Sequence, residues 1–228
     1  MTTDHDGFID KWRTRWPEWQ VAEVFLPGAG RQRWLAWFAL RQELIDAAFA
    51  GADPRPGEAK LGWWIEELQG WAQGRRRHPL GMGLQSLPAP WAPLAASLPA
   101  FAAARASAGI ASLRTTLAPA AAAIAAVDAV LSRVQAPAAQ PAPAADAILF
   151  GLLAQRALLE SDDHLARELL VQWLPPRGTR GERMLAALLH ERLRRCVAGA
   201  QATQPPSRWR VLAIAWRAAR QQQGVSPA

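Results

Sequence analysis

Residues 58–73 read Glu58-Ala59-Lys60-Leu61-Gly62-Trp63-Trp64-Ile65-Glu66-Glu67-Leu68-Gln69-Gly70-Trp71-Ala72-Gln73, and their spacing decides the fold class. Leu61, Trp64, Ile65, Leu68 and Trp71 fall at i, i+3, i+4, i+7 and i+10, a single apolar stripe on a helix. Gly74 is placed to end that helix, and Arg75-Arg76-Arg77 then lies at the favourable end of its dipole. Trp63 stands about 100° around the helix from Trp64, so the stripe does not account for it.

The same period extends outward in both directions. Phe8, Trp12, Trp16 and Trp19 are spaced 4, 4 and 3 apart, and Pro17 inside that run predicts a kink or two short helices. Pro27-Gly28-Ala29-Gly30 is a break. A helix then runs from Arg31 to about Ala50, with Trp34, Trp37, Phe38, Leu44, Ile45 and Phe49 facing inward, Gly51 as its stop and Asp53–Gly57 as a turn. Beyond His78-Pro79 comes an irregular Pro-rich stretch, followed by Ala-rich helices at about 91–108 and 110–134, the second open to interruption at Pro119. Residues 136–145 form a Pro/Ala-rich internal loop or linker, and helices resume at about 146–172, 180–200 and 207–222. No β-alternating run of useful length appears. The expectation is an all-α chain whose residues 1–228 form a single bundle of seven or eight helices.

Composition says what the core must be made of. Alanine fills 49 of 228 positions; it favours helix and buries little area. Twelve Trp, with Leu and Phe, must therefore carry the core. The single cysteine, Cys196, excludes an intramolecular disulfide and a Cys-rich zinc site. There is no P-loop, no H-E-x-x-H and no G-x-S-x-G, and His190 and Cys196 are six apart, on different sides of a helix. Residues 1–10 lack the basic and apolar regions of a secretory signal, and five prolines interrupt the uncharged run 78–104, so a cytoplasmic protein is expected.

The net charge of +7 is concentrated at the C-terminal end, where residues 181–228 hold eight arginines against Glu182 and Glu191. Such an excess suits an anionic surface, either nucleic acid or the inner face of a membrane approached peripherally through the arginines of 183–220, or else a plainly solvated arginine face. No helix-turn-helix or zinc signature supports DNA reading. Two acidic groups have spacing of interest. Glu43 and Asp46 share a helix face at i, i+3, and Asp162 and Asp163 lie beside Glu160. Facing each other across a cavity, they would suit Mg²⁺ and a phosphate. Flanked by Arg41 and Gln42, and by Arg156 and Arg167, they also read as solvated helix faces.

Lys60-Leu61-Gly62-Trp63-Trp64, followed by Gly74 and His78-Pro79-Leu80, resembles the squalene/phytoene synthase family, the head-to-head branch of the all-α isoprenoid synthases. Ala39-Leu40-Arg41-Gln42-Glu43-Leu44 resembles the family's preceding helix, and the likeness covers residues 31–80. It implies a helical bundle of the isoprenoid-synthase type. In an active member two aspartate-rich motifs hold Mg²⁺ and prenyl diphosphates. The resemblance places Glu43, Asp46, Asp162 and Asp163 as metal candidates, Arg41 and Lys60 as diphosphate contacts, and Trp63 and His78 at the substrate cavity. The aspartate motifs here are sparse: Glu43-Leu44-Ile45-Asp46 stands for the first, and Gln172-Trp173-Leu174-Pro175 follows the second without the family's Tyr. The implied function is a catalytically degenerate relative that binds an isoprenoid or a partner protein. An active Mg²⁺-dependent prenyltransferase and a basic nucleic-acid or membrane-binding module are the alternatives.

Overall fold

Glycine and proline divide the chain where its apolar periodicity stops. In a computed structural model, which describes residues 4–135, 145–175, 177–199 and 205–220, every regular element is helical. In chain order they are α1 (Asp4–Arg15), α2 (Trp19–Ala22), α3 (Arg31–Phe49), α4 (Arg55–Ala72), α5 (Gly81–Leu84), α6 (Trp91–Ser97), α7 (Pro99–Arg105), α8 (Ile110–Gln135), α9 (Ala145–Glu160), α10 (Asp163–Val171), α11 (Arg180–Val197) and α12 (Arg208–Arg220). Short 3₁₀ turns occupy Glu23–Phe25 and Gly28–Gly30. The all-α expectation holds, and no strand occurs among the described residues.

The helix count exceeds seven or eight because several expected helices are broken. Pro17 separates α1 from α2, as its missing N–H dictates. Ser161, at φ 54°, separates α9 from α10, and Leu98-Pro99 separates α6 from α7. The interruption allowed for at Pro119 does not occur: α8 runs through it unbroken. Pro119 and Thr115, whose carbonyl loses its donor, both lie on the exposed face, where water can satisfy that carbonyl. The expected loop at 136–145 lies outside the described residues, apart from Ala145, which starts α9.

Helix α3 is the centre. Trp34 to Ile45 are all buried, as are Ala47 to Phe49, and a helix covered on every side must be packed on every side. It meets α1, α4, α5, α7 and α9, and a second group is built by α11 against α9, α10 and α12. Gly57 lets α4 cross α3, since a Cβ there would stand 2.1 Å from the carbonyl oxygen of Ala47. One aromatic group joins Trp12, Trp19, Phe38 and Trp34. A second runs from Trp37 through Trp91 and Trp71 to Trp64, with ring centres 5.1–6.4 Å apart. Helix α8 is long and apolar enough to cross a membrane by length and composition alone, and half of that stretch is buried against its neighbours.

The arginine preference has a structural use in this packing. Arg105 donates to the carbonyls of Ala48 and Gly51 at the end of α3, and Arg156 to Ala104 and Ser107 at the end of α7. Arg183 donates to Ala218 and Ala219 near the end of α12. Each guanidinium satisfies helix-end carbonyls that have no partner within their own helix and lies at the negative pole of the dipole.

Candidate functional site

Four of the residues singled out by sequence meet at one place. Glu43, on α3, accepts from Lys11 of α1 at 2.7 Å and from Lys60 of α4 at 2.5 Å, so both lysines of the chain converge on one carboxylate. Burial raises the Glu43 pKa, but the two lysines outweigh it and hold the group below its ordinary range. His78 lies beside this cluster, with its ring centre 4.3 Å from Phe8, 4.6 Å from Trp64 and 5.7 Å from Trp63. Its Nδ1 accepts from the Leu80 N–H at 3.2 Å. Burial pushes the His78 pKa down despite the nearby Glu43 and Glu67, so the ring is neutral at pH 7.

Glu67 fixes the loop that carries His78. Its carboxylate accepts from Trp71 Nε1 at 2.7 Å, from the backbone N–H groups of Arg77 and His78 at 2.7 and 2.8 Å, and from Arg77 Nε at 3.0 Å. Burial raises its pKa, and this ring of donors lowers it further than burial raises it. The apolar stripe gives no hint of this role, because Glu67 is not one of its positions.

One turn from Glu43, Asp46 accepts from Gln42 Nε2 at 2.8 Å and from Arg15 at 3.2 Å. Lys11, Arg15 and Gln42 line a cleft of about 560 Å³ between α1, α3, α9 and α11. Trp16, Pro17, Leu158 and Leu159 supply its apolar lining, and Ser161 also lines it. Arg192 reaches in from α11, held by both carboxylate oxygens of Glu18 at 2.7 Å and stacked 3.8 Å over the Trp16 ring.

The second acidic group has partners of its own. Asp162 is the N-cap of α10 and accepts from the Leu165 N–H at 2.9 Å. Asp163 is exposed and pairs with Arg167 at 3.7 Å. Mg²⁺ needs several free oxygen ligands, whereas Glu43, Asp46, Asp162 and Asp163 each serve a lysine, an arginine or a backbone N–H. The arrangement does not fit a cation site, and among the described residues no group of three or more His, Cys, Asp or Glu side chains does. The Cys196 thiol is pushed up by burial and by Asp163, the reverse of an activated nucleophile.

Arg41 is buried inside the protein and is not among the residues that line the cleft. It donates to Glu182 of α11 and stands 3.9 Å from Asp128 of α8, with all three side chains buried. Trp37 Nε1 donates to Asp128, and Thr179 caps the turn that presents Glu182. Burial, and then the Glu182 charge, hold the Asp128 carboxyl well above the ordinary carboxylate range, against the pull of Arg41 and Trp37. Among the three side chains, Asp128 is the acid that burial pushes toward its protonated form. The enclosed position of Arg41 withdraws it from the diphosphate role implied by resemblance.

The raised Asp128 pKa gives a pH dependence of definite sign. The folded chain keeps a proton that the unfolded chain releases above pH about 3.8, so this site's contribution falls as pH rises, until the folded pKa is passed. Asp128→Asn keeps the shape and never ionises. Its stability relative to the parent is expected to improve as pH rises above about 4 in urea titrations. A difference that is flat with pH would contradict a protonated Asp128.

Comparisons with protein-family models, with curated proteins and with solved structures return no match.

Proposed function

We propose that this chain is a squalene/phytoene synthase-like helical protein that binds an anionic isoprenoid in the cleft between α1, α3, α9 and α11, without Mg²⁺-dependent condensation chemistry. The observation that carries this reading is the lining of the cleft. Lys11 and Arg15 line it together with the apolar Leu158, Leu159, Trp16 and Pro17. The volume lies within the range of small-ligand sites, which combine an apolar surface with a few placed polar groups. A diphosphate would meet the cations, and its prenyl chain would lie on the leucines. The carboxylates that a synthase would spend on Mg²⁺ are engaged in ion pairs and a helix cap, which supports binding over turnover. Lys60, Trp63 and His78 then act as supports for Glu43 and the α4 end.

Calorimetric titration of farnesyl and geranylgeranyl diphosphate, with and without Mg²⁺, tests this. Binding is expected without Mg²⁺, no pyrophosphate is released, and Lys11→Gln with Arg15→Gln weakens binding by about tenfold or more, as the loss of charged hydrogen bonds implies. Mg²⁺-dependent binding abolished by Asp46→Ala, with pyrophosphate release, would establish the active prenyltransferase instead. No binding under any condition would overturn the isoprenoid reading and leave a partner protein as the ligand.

A further inference from the structure

Helix α12 buries one side and leaves the other without a partner among the described residues. Val211, Ala215 and Ala218 are buried, on the side that packs on α11 and α2. On the opposite side Trp209 is 82% exposed and Trp216 is 47% exposed. They stand seven positions apart, so they lie about 20° apart around the helix and about 10 Å apart along it. Arg220 falls on the same line and stacks 4.8 Å over the Trp216 ring. Arg208 and Arg217 flank the tryptophans at about −100° and +80°, and neither has an acidic partner among the described residues.

The local charge is uncompensated for a reason visible in the packing. The only acids in residues 181–228 are Glu182 and Glu191, and both are buried and already used. Glu182 pairs with Arg41, and Glu191 takes Arg194 at 3.0 Å and Arg210 at 2.6 Å. The outward face of α12 is thus tryptophan bordered by free arginines. Tryptophan settles at the boundary between headgroups and acyl chains, and arginine favours anionic headgroups. We propose that α12 is a docking face for an anionic lipid bilayer, lying parallel to its surface with Trp209 and Trp216 inserted and Arg208, Arg217 and Arg220 among the phosphates. This face is separate from the cleft, so its fate is independent of the isoprenoid reading.

Sedimentation of the full chain with sucrose-loaded vesicles tests it, comparing phosphatidylcholine alone with phosphatidylcholine containing one part in three of phosphatidylglycerol. Binding is expected to require the anionic lipid and to weaken with salt. Trp209→Ser with Trp216→Ser is expected to lower partitioning by at least about tenfold. Arg208→Gln, Arg217→Gln and Arg220→Gln together are expected to lower it on the order of 100-fold, at roughly fivefold per arginine. All five side chains point outward, so circular dichroism and melting should match the parent. Equal partitioning to both vesicle types, no partitioning, or partitioning unchanged in both variants would overturn the proposal. So would arginine-dependent binding to an RNA homopolymer without binding to vesicles, which would make α12 a nucleic-acid surface.

Discussion

Arg41→Met is expected to cost about 3–5 kcal/mol of folding stability, because it removes the cation from a buried ion cluster and leaves Glu182 enclosed without a counter-charge. Methionine nearly fills the space, so the loss is electrostatic and not a cavity effect. Arg41→Met combined with Glu182→Leu removes both charges, leaves Asp128 protonated against Trp37, and is expected to recover most of the loss. Urea midpoints of the three proteins at pH 7 read this directly. A single-variant cost below about 1 kcal/mol would mean that water reaches the cluster and that the triad is not closed. The test matters for function because Arg41 would otherwise be the strongest diphosphate candidate. A guanidinium enclosed and paired with Glu182 is not a free cation at the cleft.

This cluster marks the limit of what the sequence makes legible. Local spacing identified the helical class, the aromatic faces of α1 and α3, and the stop at Gly74. These depend on neighbours within a few residues, and the 3.6-residue period reports such neighbours. Of the residues chosen around one motif, Lys60 pairs with Glu43, and Trp63 packs on His78 beside that pair. Arg41 pairs with a residue 141 positions away, and Trp37 with one 91 positions away, so no window holds either pair. Asp162 shows a different failure. Ser161-Asp162-Asp163 before an apolar run carries the signal of a helix start, but the expectation of one unbroken helix over 146–172 turned the same aspartates into metal candidates. The arginines that cap α3, α7 and α12 were equally illegible, because a guanidinium that reaches a distant helix end leaves no periodic trace.

The adjacent tryptophans give the sharpest contrast within the deciding stretch. Trp64 is 1% exposed and sits at one end of the aromatic chain that leads through Trp71 and Trp91 to Trp37. Trp64→Ala is expected to cost about 3–5 kcal/mol, the transfer of a large aromatic plus the cavity it leaves. Its Nε1 has no hydrogen-bond partner, so Trp64→Phe loses little beyond volume and should cost clearly less than the alanine variant. Trp63 is 36% exposed, meets the Trp64 and His78 rings edge-on, and lies under Arg77 at 5.6 Å. An exposed cation–π contact is worth about 0.5–1 kcal/mol, so Trp63→Ala is expected to cost about 1–2 kcal/mol, mostly through lost cover over His78. Thermal melts of the two alanine variants decide the matter. Equal losses would mean that α4 presents a different face from the one its apolar stripe defines, and that Lys60 is turned away from Glu43. A large loss for Trp64 alone ties the α4 stripe to the core and leaves Trp63 as the lid over His78.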